Sequence, residues 1–81
     1  MTGAVEVTQA QARAIKEGIK CYEAQGLRGE QLYLWFAFEH FRVRAGRTEP
    51  WEGLFAPLND LTAYDFQSAL RKGFKVKEDA E

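Results

Sequence analysis

His40 is the side chain best suited to move protons near neutral pH, and Cys21 is the one best suited to nucleophilic attack; each residue type occurs once in the chain. Catalysis by a histidine needs a positioned partner, and its acidic neighbour Glu39 is no such partner, because adjacent residues on a helix do not face each other. Placed among Phe36, Phe38 and Phe41, His40 reads as a partly buried or rim histidine. Cys21, beside Tyr22 in an amphipathic segment, reads as a small half-buried thiol. One Cys and one His can build neither an internal disulfide nor a structural zinc site, so no metal and no cofactor are expected. The acids are scattered singly along amphipathic stretches, with no pair spaced for acid/base work. Gly26 and Gly29 flank Leu27 and Arg28 without the spacing or the lysine of a phosphate-cradling loop. No catalytic motif emerges, and a non-enzymatic protein is the expectation.

Two other patterns carry more information. The first is cationic: "RVRAGR" and "RKGFKVK" interleave Arg42, Arg44, Arg47, Arg71, Lys72, Lys75 and Lys77 with small or aromatic residues. Against them, residues 42–77 hold only Glu49, Glu52, Asp60 and Asp65. Two readings stand: complementarity to helix dipoles, which selects cations at helix C-termini, or a binding patch. A nucleic-acid contact would use Arg71, Lys72, Lys75 and Lys77, with Tyr64, Gln67 and Ser68 on the same outward face. The second pattern is aromatic. Tyr33, Trp35, Phe36, Phe38, Phe41, Trp51 and Phe55 either fill a tight core or leave a remainder exposed for a partner. On the second reading Trp35, Trp51, Arg42, Arg44 and Arg47 are the candidate protein contacts, and two central helices packed together would make a homodimer.

The elements that position these residues are well punctuated. Thr8 and Gln11 have the spacing of a capping box, and Ala12, Ile15, Ile19 and Tyr22 follow as one apolar stripe. Gly18 implies either close packing or tolerance in mid-helix, and Gly26 ends the helix with Leu27 set to touch Tyr22. In "GEQLYLWFAFEHFRVRAG" both the strand and the helix periods are partly satisfied. Its length, with Glu30 at the start and Arg42 and Arg44 at the end, predicts a central helix that is apolar nearly all round and forms the core element. "RTEPWEGLFAPLND" predicts an ordered loop anchored by Trp51, Leu54, Phe55 and Leu58. Thr62 with Asp65 offers an acidic capping box, Leu61 and Phe66 a hydrophobic staple, Gly73 a stop, and "FKVKE" an extended exit.

The bounds agree with that picture. Eighty-one residues make one domain, and 46 % apolar and 14 % aromatic content supplies a core without staples. Eleven basic and twelve acidic side chains leave a formal charge of −1, so there is no global field to draw in nucleic acid or an anionic membrane. No apolar run approaches the length of a membrane span, and "MTGAVEVTQ" lacks a signal-peptide pattern, which predicts an intracellular protein without a membrane partner. The fold expectation is an all-α, compact three-helix domain over 1–81, with an ordered loop before the third helix, a short extended C-terminal tail, and residues 1–6 and 78–81 frayed.

At "PLNDLTAYDFQSALRKGFKVKE" the chain resembles small accessory proteins encoded by phages and prophages of Gram-positive bacteria. In that group an "LN-L" turn precedes a short helix ending in "AL" and a "G-[YF]-x-V" exit. The matching positions are Leu58, Asn59, Leu61, Phe66, Ala69, Leu70, Gly73, Phe74 and Val76, and "VTQAQARAIKEGI" resembles the same group's opening helix. The chain departs from the group in charge, with Lys75 and Lys77 where the exit is otherwise acidic. The resemblance implies an accessory protein acting in the host cytoplasm on a host or phage protein, for instance by inhibiting a host enzyme or defence complex.

Overall fold

The computed structural model describes residues 5–77. Strand β1 (Val5–Val7) leads into α1 (Gln9–Ala24) and α2 (Gly29–Arg44); a 3-10 helix (Gly53–Asp60) then precedes α3 (Ala63–Lys72) and strand β2 (Phe74–Val76). The fold is mostly helical, as the pattern of caps and stripes predicts. The expected fraying at 1–4 and 78–81 lies outside the described residues. Val5 and Glu6, expected to fray with them, instead form β1. This strand pairs in parallel with β2 in the register Val5 with Phe74, Glu6 with Lys75 and Val7 with Val76, extended by Lys77 N–H donating to Val7 O at 2.7 Å. Three residues are too few for a period of two to be read, and Val7, fully buried, is what ties the strand to the core.

Helix α1 begins on a reciprocal cap: Gln11 N–H donates to Thr8 Oγ1 at 3.0 Å and Thr8 N–H to Gln11 Oε1 at 2.9 Å. It stops in a Schellman motif, Gly26 in the left-handed region at φ +97° with Leu27 N–H donating to Tyr22 O at 3.1 Å. The buried face is Gln11, Ala12, Ala14, Ile15 and Gly18, so Ile19 and Tyr22 from the expected stripe sit half-buried at its margin. Small side chains at 12, 14 and 18 let the neighbouring elements come close. A Cβ at Gly18 would collide with the ring of Phe36, which makes close packing the reason for that glycine.

The predicted loop is ordered but not irregular: residues 53–60 wind into the 3-10 helix, which packs along α1. Asn59 fixes its entry, with Trp51 N–H donating to Asn59 Oδ1 and Asn59 Nδ2 donating to Trp51 O, both at 3.0 Å. Gln11 Nε2 donates to Pro57 O at 3.3 Å and links the same turn to α1. At α3, Asp65 N–H donates to Thr62 Oγ1 at 3.0 Å, one half of the expected box, and Leu61 and Phe66 are both buried as a staple requires. Phe36 joins the layers, its ring 4.8 Å from Phe66, 5.1 Å from Tyr22 and 6.2 Å from Trp51.

Candidate protein-binding surface

Helix α2 carries large apolar residues on every side, yet only Leu32, Phe36 and His40 are buried, one residue per turn on a single stripe. The expectation of an all-round core helix is corrected here. Its neighbours cover one face only, so Leu34, Trp35, Phe38 and Phe41 stay 53–55 % exposed on the other. This settles the aromatic surplus as well: part fills the core through Phe36, and part is surface. Beside the ridge runs a groove of about 250 Å³ between α2 and α3, lined by Leu34, Ala37, Phe38 and Phe41 on one side and Ala63, Gln67 and Arg71 on the other. Tyr64, next in sequence to the lining residue Ala63, is 69 % exposed on α3.

Charged groups border this apolar strip. Arg71 Nη1 lies 2.6 Å from Glu30 Oε2 and bridges α3 to the first turn of α2. Arg42 Nη1 lies 3.2 Å from Glu39 Oε1, with its guanidinium 6.0 Å from the Phe38 ring centroid, the range of a cation–π contact. Arg44 Nη1 donates to Asn59 O at 2.8 Å, fastening α2 to the end of the 3-10 helix. Arg47 follows the helix stop, where Gly46 at φ +77° allows Arg47 N–H to donate to Arg42 O at 2.9 Å, and its side chain is exposed.

The predicted contact residues therefore separate. Trp35 and Arg42 belong to the exposed strip. Trp51 is half-buried against Phe36 and Phe55, held through its backbone by Asn59, and anchors the 3-10 helix. Leu54, expected to anchor the same segment, is 43 % exposed. Of the cationic set, Arg71 is engaged with Glu30, Lys75 stands in register with Glu6, and Lys72, Lys75 and Lys77 are exposed. Ser68, expected outward with Tyr64 and Gln67, is 7 % exposed and belongs to the inner face of α3. Sequence reasoning misses Leu34; it names Tyr64 on the outward face of the third helix, where it is, but only for a nucleic-acid contact. The available signal was the spacing Leu34, Phe38, Phe41, a second apolar stripe on the side of α2 opposite Leu32, Phe36 and His40.

His40 is fully buried rather than at a rim. Its Nε2 lies 3.0 Å from Leu58 O, so that nitrogen carries the proton and donates. The ring stacks on Phe66 with centroids 4.3 Å apart and planes 14° from parallel. Burial holds its pKa below the ordinary histidine value and the positive charge of Arg44 adds to that shift, while the backbone carbonyls of Leu58 and Leu61 oppose it. Nδ1 has no hydrogen-bond partner among the described residues, and no acid reaches the ring. Cys21, expected half-buried, is exposed. Among the described residues no three His, Cys, Asp or Glu side chains gather where a metal could sit, and no helix is long and apolar enough to cross a membrane. The arrangement offers apolar contact with a charged border. Compared with known proteins, the chain matches no family model, no curated protein and no solved structure.

Proposed function

We propose that this chain is a non-enzymatic protein-binding module and that the exposed face of α2, with the flank of α3, is where it holds its partner. The observation carrying this reading is the contiguous ridge Leu34, Trp35, Phe38 and Phe41, each more than half exposed in so small a domain. Monomers rarely keep such a strip in water without a use for it, and aromatic side chains bordered by arginine dominate interface energetics. The resemblance of residues 58–76 to phage and prophage accessory proteins supports a role inside the host cytoplasm, modulating or inhibiting a host enzyme or defence complex. The test is affinity capture from host lysate with the wild-type chain and with Phe38→Glu. Capture of a specific protein that is lost with Phe38→Glu is the expected result; capture unaffected by that change would remove the α2 face from the reading.

A second reading, contact with nucleic acid through Arg71, Lys72, Lys75 and Lys77, draws on the exposure of the three lysines. Against it, Arg71 is tied to Glu30, and Lys75 lies beside Glu6. Titration of labelled random duplex at about 50 mM salt decides it, because phosphate contacts are strongest at low salt. No binding there is the expected result.

A further inference from the structure

The exposed side of α2 is more ordered than a generic apolar patch. Leu34, Phe38, Phe41 and Ala45 are all exposed and follow one another at spacings of four, three and four. That is the seam spacing of a two-helix contact, facing away from the stripe that enters the core. Trp35 and Arg42, seven residues apart, flank the seam on one side.

We propose that the occupant of this seam is a second copy of the same chain, with the two α2 helices antiparallel about a two-fold axis. This names the partner of the face described above and rests on the protein-binding reading. A two-fold interface must be self-complementary, residue i meeting j and j meeting i. One antiparallel register pairs the seam residues with one another. Phe38 packs on the copy's Phe41 at the centre, bulky Leu34 meets small Ala45 at each end, and the Arg42 guanidinium meets the copy's Trp35, all repeated by symmetry. Arg42 already sits beside an aromatic ring within its own chain, so the cation remains in aromatic surroundings on association.

The alternatives fit less well. Moving the antiparallel register by one heptad sets Arg42 against the copy's Arg28. It gains a meeting of Glu30 with Arg44 but sets two arginines together where the first register sets a cation on an aromatic ring. A parallel arrangement aligns the helix dipoles and gathers Arg42 and Arg44 of both copies at one end. Self-association also meets little long-range repulsion, since each copy carries a formal charge of −1. A specific interface needs about 800 Å² from each partner. The ridge supplies part of this, and the flank of α3, with Tyr64 and Gln67, lies beside it to supply more. Weak association is expected of so small a face.

The test is sedimentation velocity on the full chain across about 1 to 300 µM, a range that brackets micromolar dissociation constants. A monomer–dimer equilibrium is expected, weakened at least tenfold by Phe38→Glu and by Trp35→Gln, with far-UV circular dichroism unchanged in both. The sense of the helices is read in a Cys21→Ser background carrying Leu34→Cys in one preparation and Ala45→Cys in another. Disulfide dimers form on mixing the two in the antiparallel register, whereas a parallel seam would cross-link each preparation alone. A chain that stays monomeric across the range overturns the second copy, as does a dimer indifferent to both folded variants or cross-linking in the unmixed preparations only. If a monomeric chain still captures a different protein through Phe38, the binding reading survives and only the second copy falls. If it captures nothing, both fall.

Discussion

His40 is where the physical demands on a single residue are sharpest. A neutral imidazole can be buried because Nε2–H finds the Leu58 carbonyl and the ring face finds Phe66, whereas Nδ1 has no hydrogen-bond partner among the described residues and a second proton would bring a charge into the core. Burial, with Arg44 adding to it, keeps the folded-state pKa below the ordinary value of about 6.5 that the unfolded chain shows. Above about pH 6.5 neither state is protonated at this site and the fold keeps its full stability. As the pH falls below that value the unfolded chain takes up a proton that the folded chain refuses. Stability then declines, by at most about 1.4 kcal/mol per pH unit, until the folded-state pKa is reached. Urea denaturation between pH 7 and 5.5, above the range where the carboxylates titrate, should show this decline, and His40→Gln should flatten it whatever its absolute stability. An equal slope in the variant would assign the effect to another group. The sequence marks His40 as lying among phenylalanines but not which side of the helix it takes. Its spacing of four from Phe36 and eight from Leu32 puts it inside, while Phe38 and Phe41 go out.

At the scale of elements, the close approach of α1 and α2 depends on Gly18. The sequence poses the alternatives for this residue, tolerance or packing, and only the placement of Phe36 against it decides for packing. Gly18→Ala should improve helix propensity by about 1 kcal/mol. The added methyl must displace a ring wedged among Tyr22, Trp51 and Phe66, and overpacking of this kind costs roughly 1–3 kcal/mol. Net destabilisation is therefore expected, read as a lower urea midpoint with an unchanged slope; a stabilised variant would show that the ring gives way freely. The same contrast explains what else was legible. Helix starts and stops were, because Thr8, Gln11, Thr62, Gly26 and Gly73 act within a turn or two of chain. The 3-10 helix and the β1–β2 pair were not. The former depends on Asn59 reaching back to Trp51, and the latter joins residues almost the whole chain apart, so neither leaves a local period. Of the candidate surface, Trp35 and Arg42 could be named in advance. Trp51 could not be assigned a side until the 3-10 helix carried it against Phe36.

For the whole molecule, the governing fact is that α1, the 3-10 helix and α3 pack on one side of α2 and leave its other side in water. The core therefore stabilises the monomer without using Leu34, Trp35, Phe38 or Phe41, and these residues are free to serve association. Removing them should cost the isolated fold little, whereas covering them should stabilise it by mass action. Full burial of a side chain of this size contributes about 1.5–3 kcal/mol, so each half still exposed holds roughly 1 kcal/mol in reserve. If a second copy covers the face, thermal stability must depend on concentration. Raising the total chain from well below the dissociation constant to about ten times above it leaves free monomer at about twice that constant and stabilises the folded state by about 1 kcal/mol, which moves the Tm of a domain this small by roughly 4–8 °C. Differential scanning calorimetry over that range should show the rise in the wild type. In Phe38→Glu the Tm should depend far less on concentration and lie close to the wild-type value at high dilution, because Phe38 is more than half exposed and outside the buried core. A variant that instead melts far below the dilute wild type would mean that Phe38 supports the monomer, and α2 would then be a core helix on both sides after all.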